Sequence, residues 1–176
     1  MRGSLNDILP ESISAEDEKI LLDHLKRKMR VAAEMSVLLL HAMEERFGPE
    51  AREVVRDLAA QLKPPARPPC EDRGLAQGAA GPEADLRAFC AQLDRHCVGS
   101  HLWERVVDEP CRIGYHYSRC MWAEVFRELG EPELGLIMCA GDEPAVTAHN
   151  PALAFRRTKT LMAGYDHCDH VFYVAL

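Results

Sequence analysis

The chain has 176 residues, with 21 Lys and Arg against 28 Asp and Glu and a net charge of −7. That length suits one domain with a real core, and the acidic balance offers no basic surface to nucleic acid or an anionic membrane. No apolar run reaches the ~18–20 residues of a spanning helix, no charged-then-apolar leader opens the chain, and the odd set of seven cysteines reads as free thiols of a reducing, cytoplasmic compartment.

In chain order, Ser14 followed by Glu16 and Asp17 predicts a helix start, with a capping hydroxyl and acids in the first turn. Apolar residues from Ile20 and Leu21 through Leu38, Leu39 and Met43 keep a helical period to about Phe47, where Gly48 and Pro49 break it. A second helix is predicted over 49–62, opened by Pro49. The stripe of Met and Leu reads as core or oligomer contact rather than a cofactor box. Its width predicts a homo-oligomer joined through these helices.

Residues 63–82 are rich in proline and glycine and show no period. They are expected to form a mobile loop, cut first by protease near Arg67 or Arg73, between an N-terminal helical region (1–62) and a mixed region (83–176) of one compact unit. A helix over 83–98 puts Cys90 and Cys97, seven apart, on one face, where packing explains them. After Gly99 the texture changes to two short strands, 102–110 and 111–118, with a break at Glu109-Pro110. Helices over 119–130 and 132–142 follow, ended by Gly130 and Gly141. Strands over 152–161 and 168–176, joined by a turn around 162–166, complete an α+β fold: long N-terminal helices packed with a small, mainly antiparallel sheet.

The second half carries an ordered set of motifs. A helix ends in Leu129-Gly130, and Glu133-Leu134-Gly135 follows. Cys139 stands three residues before Asp142, and Asn150-Pro151 precedes Arg157-Thr158-Lys159-Thr160-Leu161. Gly164 is followed, after three residues, by Cys168-Asp169-His170. Over roughly 115–173 this set resembles the L-2-amino-thiazoline-4-carboxylic acid hydrolase family. The Gly164-to-Asp169 ending is also similar to the vinyl-reductase-like small-molecule-binding domains, related to a vesicle-tethering fold. The first resemblance implies hydrolytic opening of a small cyclic amidine or thioimidate at a non-peptide carbon–nitrogen bond. The family's namesake reaction opens a cyclic isothiourea to a carbamoyl-cysteine. Its chemistry needs a nucleophile, a proton shuttle and a cation for the substrate carboxylate.

Cys168 is the expected nucleophile. On a strand starting at Cys168, His170 falls on the same face, where an imidazole can lower a thiol pKa or take its proton. Asp169 points the other way and is expected to orient the turn or cap a neighbour; it is grouped with the substrate-binding residues. Asp142, after Gly141, is placed to act as acid or base. Cys139 ends a helix, where the dipole disfavours a thiolate, and is grouped with substrate binding. On an unbroken strand Arg156, Thr158 and Thr160 share one face and Arg157 the other, yet the family pattern joins Arg157 to Thr158 and Thr160. The choice of arginine stays open.

Zinc is the rival use of Cys120, Cys139, Cys168, His116, His149, His167 and His170, without tight paired-ligand spacing to support it; no metal or other cofactor is assigned. The expected partner is a small-molecule substrate, with no nucleic acid and no membrane. The alternative reading is a non-catalytic small-molecule-binding or sensory domain on a related scaffold.

Overall fold

The computed structural model describes residues 3–7, 9, 12–61 and 81–175, the side chains of residues 7 and 59–61 excepted. The loop expected at 63–82 therefore lies outside the described residues, apart from its last two positions.

Helix α1 runs Ala15–Phe47, and Ser14 caps it as expected, accepting the Asp17 N–H at 3.1 Å. Gly48 closes it and α2 follows at Ala51–Gln61. Helix α3 spans Pro82–Cys97. Strands β1 (His101–Glu109) and β2 (Arg112–Cys120) form a hairpin, after which α4 (Met121–Glu128), α5 (Pro132–Ala140) and α6 (Asp142–His149) succeed one another. Strand β3 is Leu153–Arg157, a single 3-10 turn occupies Leu161–Ala163, and β4 is Cys168–Val174.

The sheet is four-stranded in the order β1-β2-β4-β3, and all its pairings are antiparallel. Direct pairing sets Tyr117 opposite Cys168, Tyr115 opposite His170, Phe155 opposite Phe172 and Arg157 opposite His170. Cross-strand partners share a face, so one face carries Tyr115, Tyr117, Cys168, His170, Phe172, Phe155 and Arg157. Helix α3 packs on that face through Phe89, whose ring lies 5.4 Å from that of Phe172. His116 opposes Asp169 on the other face.

The core joins the N-terminal helices to the sheet region: Ala33, Val37 and Leu40 of α1 cluster with Leu86, Ile113, Phe126 and Leu153. Ion pairs reinforce the docking. Lys26 and Arg30 reach Glu128 at 2.7 and 3.0 Å, and Arg52 bridges Glu44 and Glu131 at 2.7 and 2.6 Å. At Gly135 α5 approaches so closely that a Cβ would meet the Met162 sulfur at 2.3 Å, so a larger residue would have to displace the Met162 side chain. No helix among the described residues is long and apolar enough to cross a membrane.

Two elements differ from expectation. The segment 142–149 is helical, with Asp142 in its first turn instead of in an open turn. Strand β3 stops at Arg157, four residues early. The reason lies chiefly beyond the segment: the Asp169 carboxylate accepts the N–H groups of Thr158 and Lys159, and Thr160 Oγ1 accepts that of Met162. The chain bends where those donors leave the ladder.

Candidate functional site

The run Asp166-His167-Cys168-Asp169-His170 is divided by the pleat of β4. Cys168 and His170 turn to the α3 face, Asp169 to the other, and Asp166 and His167 belong to the turn before the strand. Gly164 makes that turn possible with φ of 91°. His167 Nδ1 contacts Asp166 at 2.7 Å, and its ring lies 4.4 Å from that of His116.

Cys168 is buried, and its sulfur has defined neighbours. Sγ accepts the Leu161 N–H at 3.2 Å, and the thiol donates to Thr160 Oγ1 at 3.5 Å. Cys139 Sγ lies 3.9 Å from the same hydroxyl. The two thiols therefore share one threonine, which the 3-10 turn holds in place. Burial, with the nearby Asp142 carboxylate adding to it, pushes the Cys139 thiol above its ordinary range.

Arg157 ties the neighbouring elements together. Its guanidinium donates to the Asp142 carboxylate at 2.5 Å and to the Cys139 carbonyl at 3.2 Å, linking β3 to α6 and α5. Arg157, on the face shared with His170, meets this cluster, whereas Arg156 is exposed. Burial raises the Asp142 carboxyl above the usual range, and the charge of Arg157 only partly offsets this. A carboxyl of that kind can exchange a proton nearer neutrality than an ordinary aspartate.

His170 lies among rings, 4.8 Å from Tyr117 and 5.2 Å from Phe155 between centroids. Burial, helped by the Arg157 charge, pulls its pKa down to about 3. At neutral pH it is an uncharged imidazole, able to exchange hydrogen bonds but not to lend positive charge to a thiolate. His101, edge-on to Tyr117 at 5.6 Å, is pulled down by burial to about 4.

Cys139, Asp142, Arg157, Thr160, Cys168 and His170 thus gather on one side of the sheet. Thr158 and Asp169 gather elsewhere: the Thr158 hydroxyl and N–H both go to the Asp169 carboxylate, at 2.5 and 2.8 Å. His101, Tyr117 and Phe155 also adjoin the cluster without having been singled out from the sequence. Alternation along β2 and β3 was the available signal, since it sets Tyr117 opposite Cys168 and Phe155 beside Arg157 on the inner face. Among the described residues no three His, Cys, Asp or Glu side chains converge as a metal-ligand set.

A family model described as L-2-amino-thiazoline-4-carboxylic acid hydrolase matches residues 28–172. The match begins inside α1, so the likeness extends well beyond the 115–173 stretch in which the motifs lie. No curated protein matches the chain. Among solved structures, the phenol-responsive sensory domain of the transcription activator PoxR with phenol is similar over 87% of this chain and 74% of that one, at 9% identity and a TM-score of 0.37.

Proposed function

The chain belongs to the L-2-amino-thiazoline-4-carboxylic acid hydrolase family, and on that premise we propose that it opens a small cyclic amidine or thioimidate by hydrolysis, with Cys168 as nucleophile. The observation that carries this reading is the setting of the Cys168 sulfur. It receives a backbone N–H from Leu161 at 3.2 Å and lies in a cluster that also holds the paired Arg157 guanidinium and Asp142 carboxylate.

In the proposed sequence, Cys168 Sγ adds to the ring carbon that lies between heteroatoms. Its proton passes to Asp142 and from there to the ring heteroatom, whose bond to that carbon breaks. Water then adds to the enzyme-bound carbon, the carbon–sulfur bond breaks, and one water proton returns to Cys168. One water is consumed and the thiol is regenerated. Arg157 supplies the cation for a substrate carboxylate. A carboxylate competing for Arg157 would also release Asp142 from the charge that holds its pKa down, leaving it the stronger base. Thr160 positions the sulfur. Thr158 and Asp169 shape the bend between β3 and β4, and His170, Tyr117 and Phe155 flank a flat ring.

The test is to quench a reaction with 2-amino-thiazoline-4-carboxylate and weigh the protein's peptides. The expected result is an adduct on the peptide bearing Cys168 that disappears on chase. An adduct confined to Cys139, or turnover with no adduct under single-turnover conditions, counts against this assignment. One observation favours a second reading, a non-catalytic binding domain: aromatic rings crowd His170, whose pKa is far too low for base catalysis at neutral pH. Saturable binding of carboxylated heterocycles with no turnover would support it. We further propose that the protein works in a reducing, cytoplasmic setting. Self-association through the N-terminal helices belongs to the same reading, since their outer apolar residues face solvent.

A further inference from the structure

Helix α1 presents two faces. Met29, Ala33, Val37 and Leu40 are buried against the rest of the chain. On the opposite side Lys28, Val31, Met35, Leu38, Ala42 and Glu45 are all exposed. Their spacing alternates three and four residues, the seam period of a two-helix coiled coil and not the 3.6-residue period of a helix lying on a globular core. The apolar members are unusually open for their size: Val31 is 61% exposed, Met35 58% and Leu38 64%, with Leu39 beside them at 61%.

The ends of the seam bear opposite charges. Lys28 stands at one end and Glu45 at the other, about 26 Å apart at 1.5 Å per residue. Among the described residues neither has an ion-pair partner within the chain. A parallel pair of these helices would set lysine against lysine and glutamate against glutamate. An antiparallel pair, with positions summing to 73, sets Met35 against Leu38, Val31 against Ala42 and Lys28 against Glu45, each contact made twice. Ala42 allows close approach opposite the branched Val31.

We propose that two copies of this chain pair antiparallel along the outer face of α1, about a two-fold axis between residues 36 and 37. This rests on the self-association proposed above and names its surface and direction. An isologous contact of this kind closes on itself and gives a dimer rather than a filament.

The experiment is sedimentation of the full chain over a wide concentration range, with circular dichroism confirming that each variant is folded. The wild type should approach twice 19.7 kDa. Leu38→Glu should be monomeric. Lys28→Glu should weaken the dimer about tenfold, because two symmetric pairs change from attraction to repulsion. Reversing both charges, Lys28→Glu with Glu45→Lys, should restore the wild-type dissociation constant; in a parallel pair Lys28→Glu exchanges one like-charge pair for another and leaves the dimer unweakened, which would overturn the antiparallel direction. Lys28 is exposed, so its variants keep the test open if Leu38→Glu fails to fold. A wild type that stays monomeric overturns both the pairing and the self-association, and is the result expected if another part of the chain covers the stripe. A dimer untouched by Leu38→Glu places the contact elsewhere. A dimer weakened by Lys28→Glu and not restored by the double reversal overturns the antiparallel direction alone.

Discussion

Burial holds the His170 imidazole at about 3, whereas a free histidine titrates near 6.5. The folded-state value is the lower one, so as pH falls the unfolded chain takes up this proton first. The stability that depends on neutral His170 is complete above about 6.5 and is lost as pH falls toward 3. His101, at about 4, acts in the same direction over the upper part of that window. Replacing His170 with Gln should flatten the dependence of unfolding free energy on pH between 6.5 and 3 by about one proton. Urea unfolding at a series of pH values measures it, and an unchanged slope would show that the ring is already protonated in the folded protein. At this scale the sequence pointed to much of the site: the pairing of Cys168 with His170 on one face followed from alternation alone. The neutral state of His170 did not, because it depends on Tyr117 and Phe155, which reach it from other strands.

Strand β3 and the bend after it depend on one carboxylate. Burial alone would raise Asp169, but the Thr158 hydroxyl and the N–H groups of Lys159 and Thr158 more than offset it and hold the acid below its ordinary range. Asp169→Ala removes the acceptor for those groups and should cost about 1–2 kcal/mol, a typical penalty for stranding such donors at a half-exposed position. Thermal unfolding measures the loss, and Asp169→Asn, which keeps one acceptor oxygen, should lose less. A loss well under 0.5 kcal/mol, the level of a neutral surface change, would mean that water satisfies the bend equally well. The same residue explains a misread boundary. Nothing in Phe155 to Leu161 ends a strand, and the cause lies eight residues further on, in a side chain that competes for the backbone donors. The α6 helix was hidden for another reason: Pro144 and a weak apolar period conceal a short helix whose only buried member is Val146. Helix α1, with its cap, its long period and its glycine stop, was legible throughout.

On the scale of the whole molecule, the long N-terminal helices form part of the fold that holds the site. Ala33, Val37 and Leu40 share the core with Phe126 and Leu134, and α4 and α5 in turn press on Met162, the residue after Leu161. The backbone donor to Cys168 is thus positioned through a chain of packed elements that begins at α1. The family match from residue 28 to 172 agrees with that reach, whereas the local motifs lie only in the second half, because packing positions tolerate many apolar residues and leave no short pattern to find. The proposed role of Cys168 is tested by turnover of 2-amino-thiazoline-4-carboxylate by folded Cys168→Ser, beside Cys139→Ser and a chelator-treated wild type. Loss of a nucleophile costs many orders of magnitude in rate, whereas a packing change of about 1 kcal/mol barely alters the rate per folded molecule. Cys168→Ser is expected to keep its fold and lose turnover, with Cys139→Ser and chelated wild type still active. Wild-type-like turnover by Cys168→Ser would contradict it.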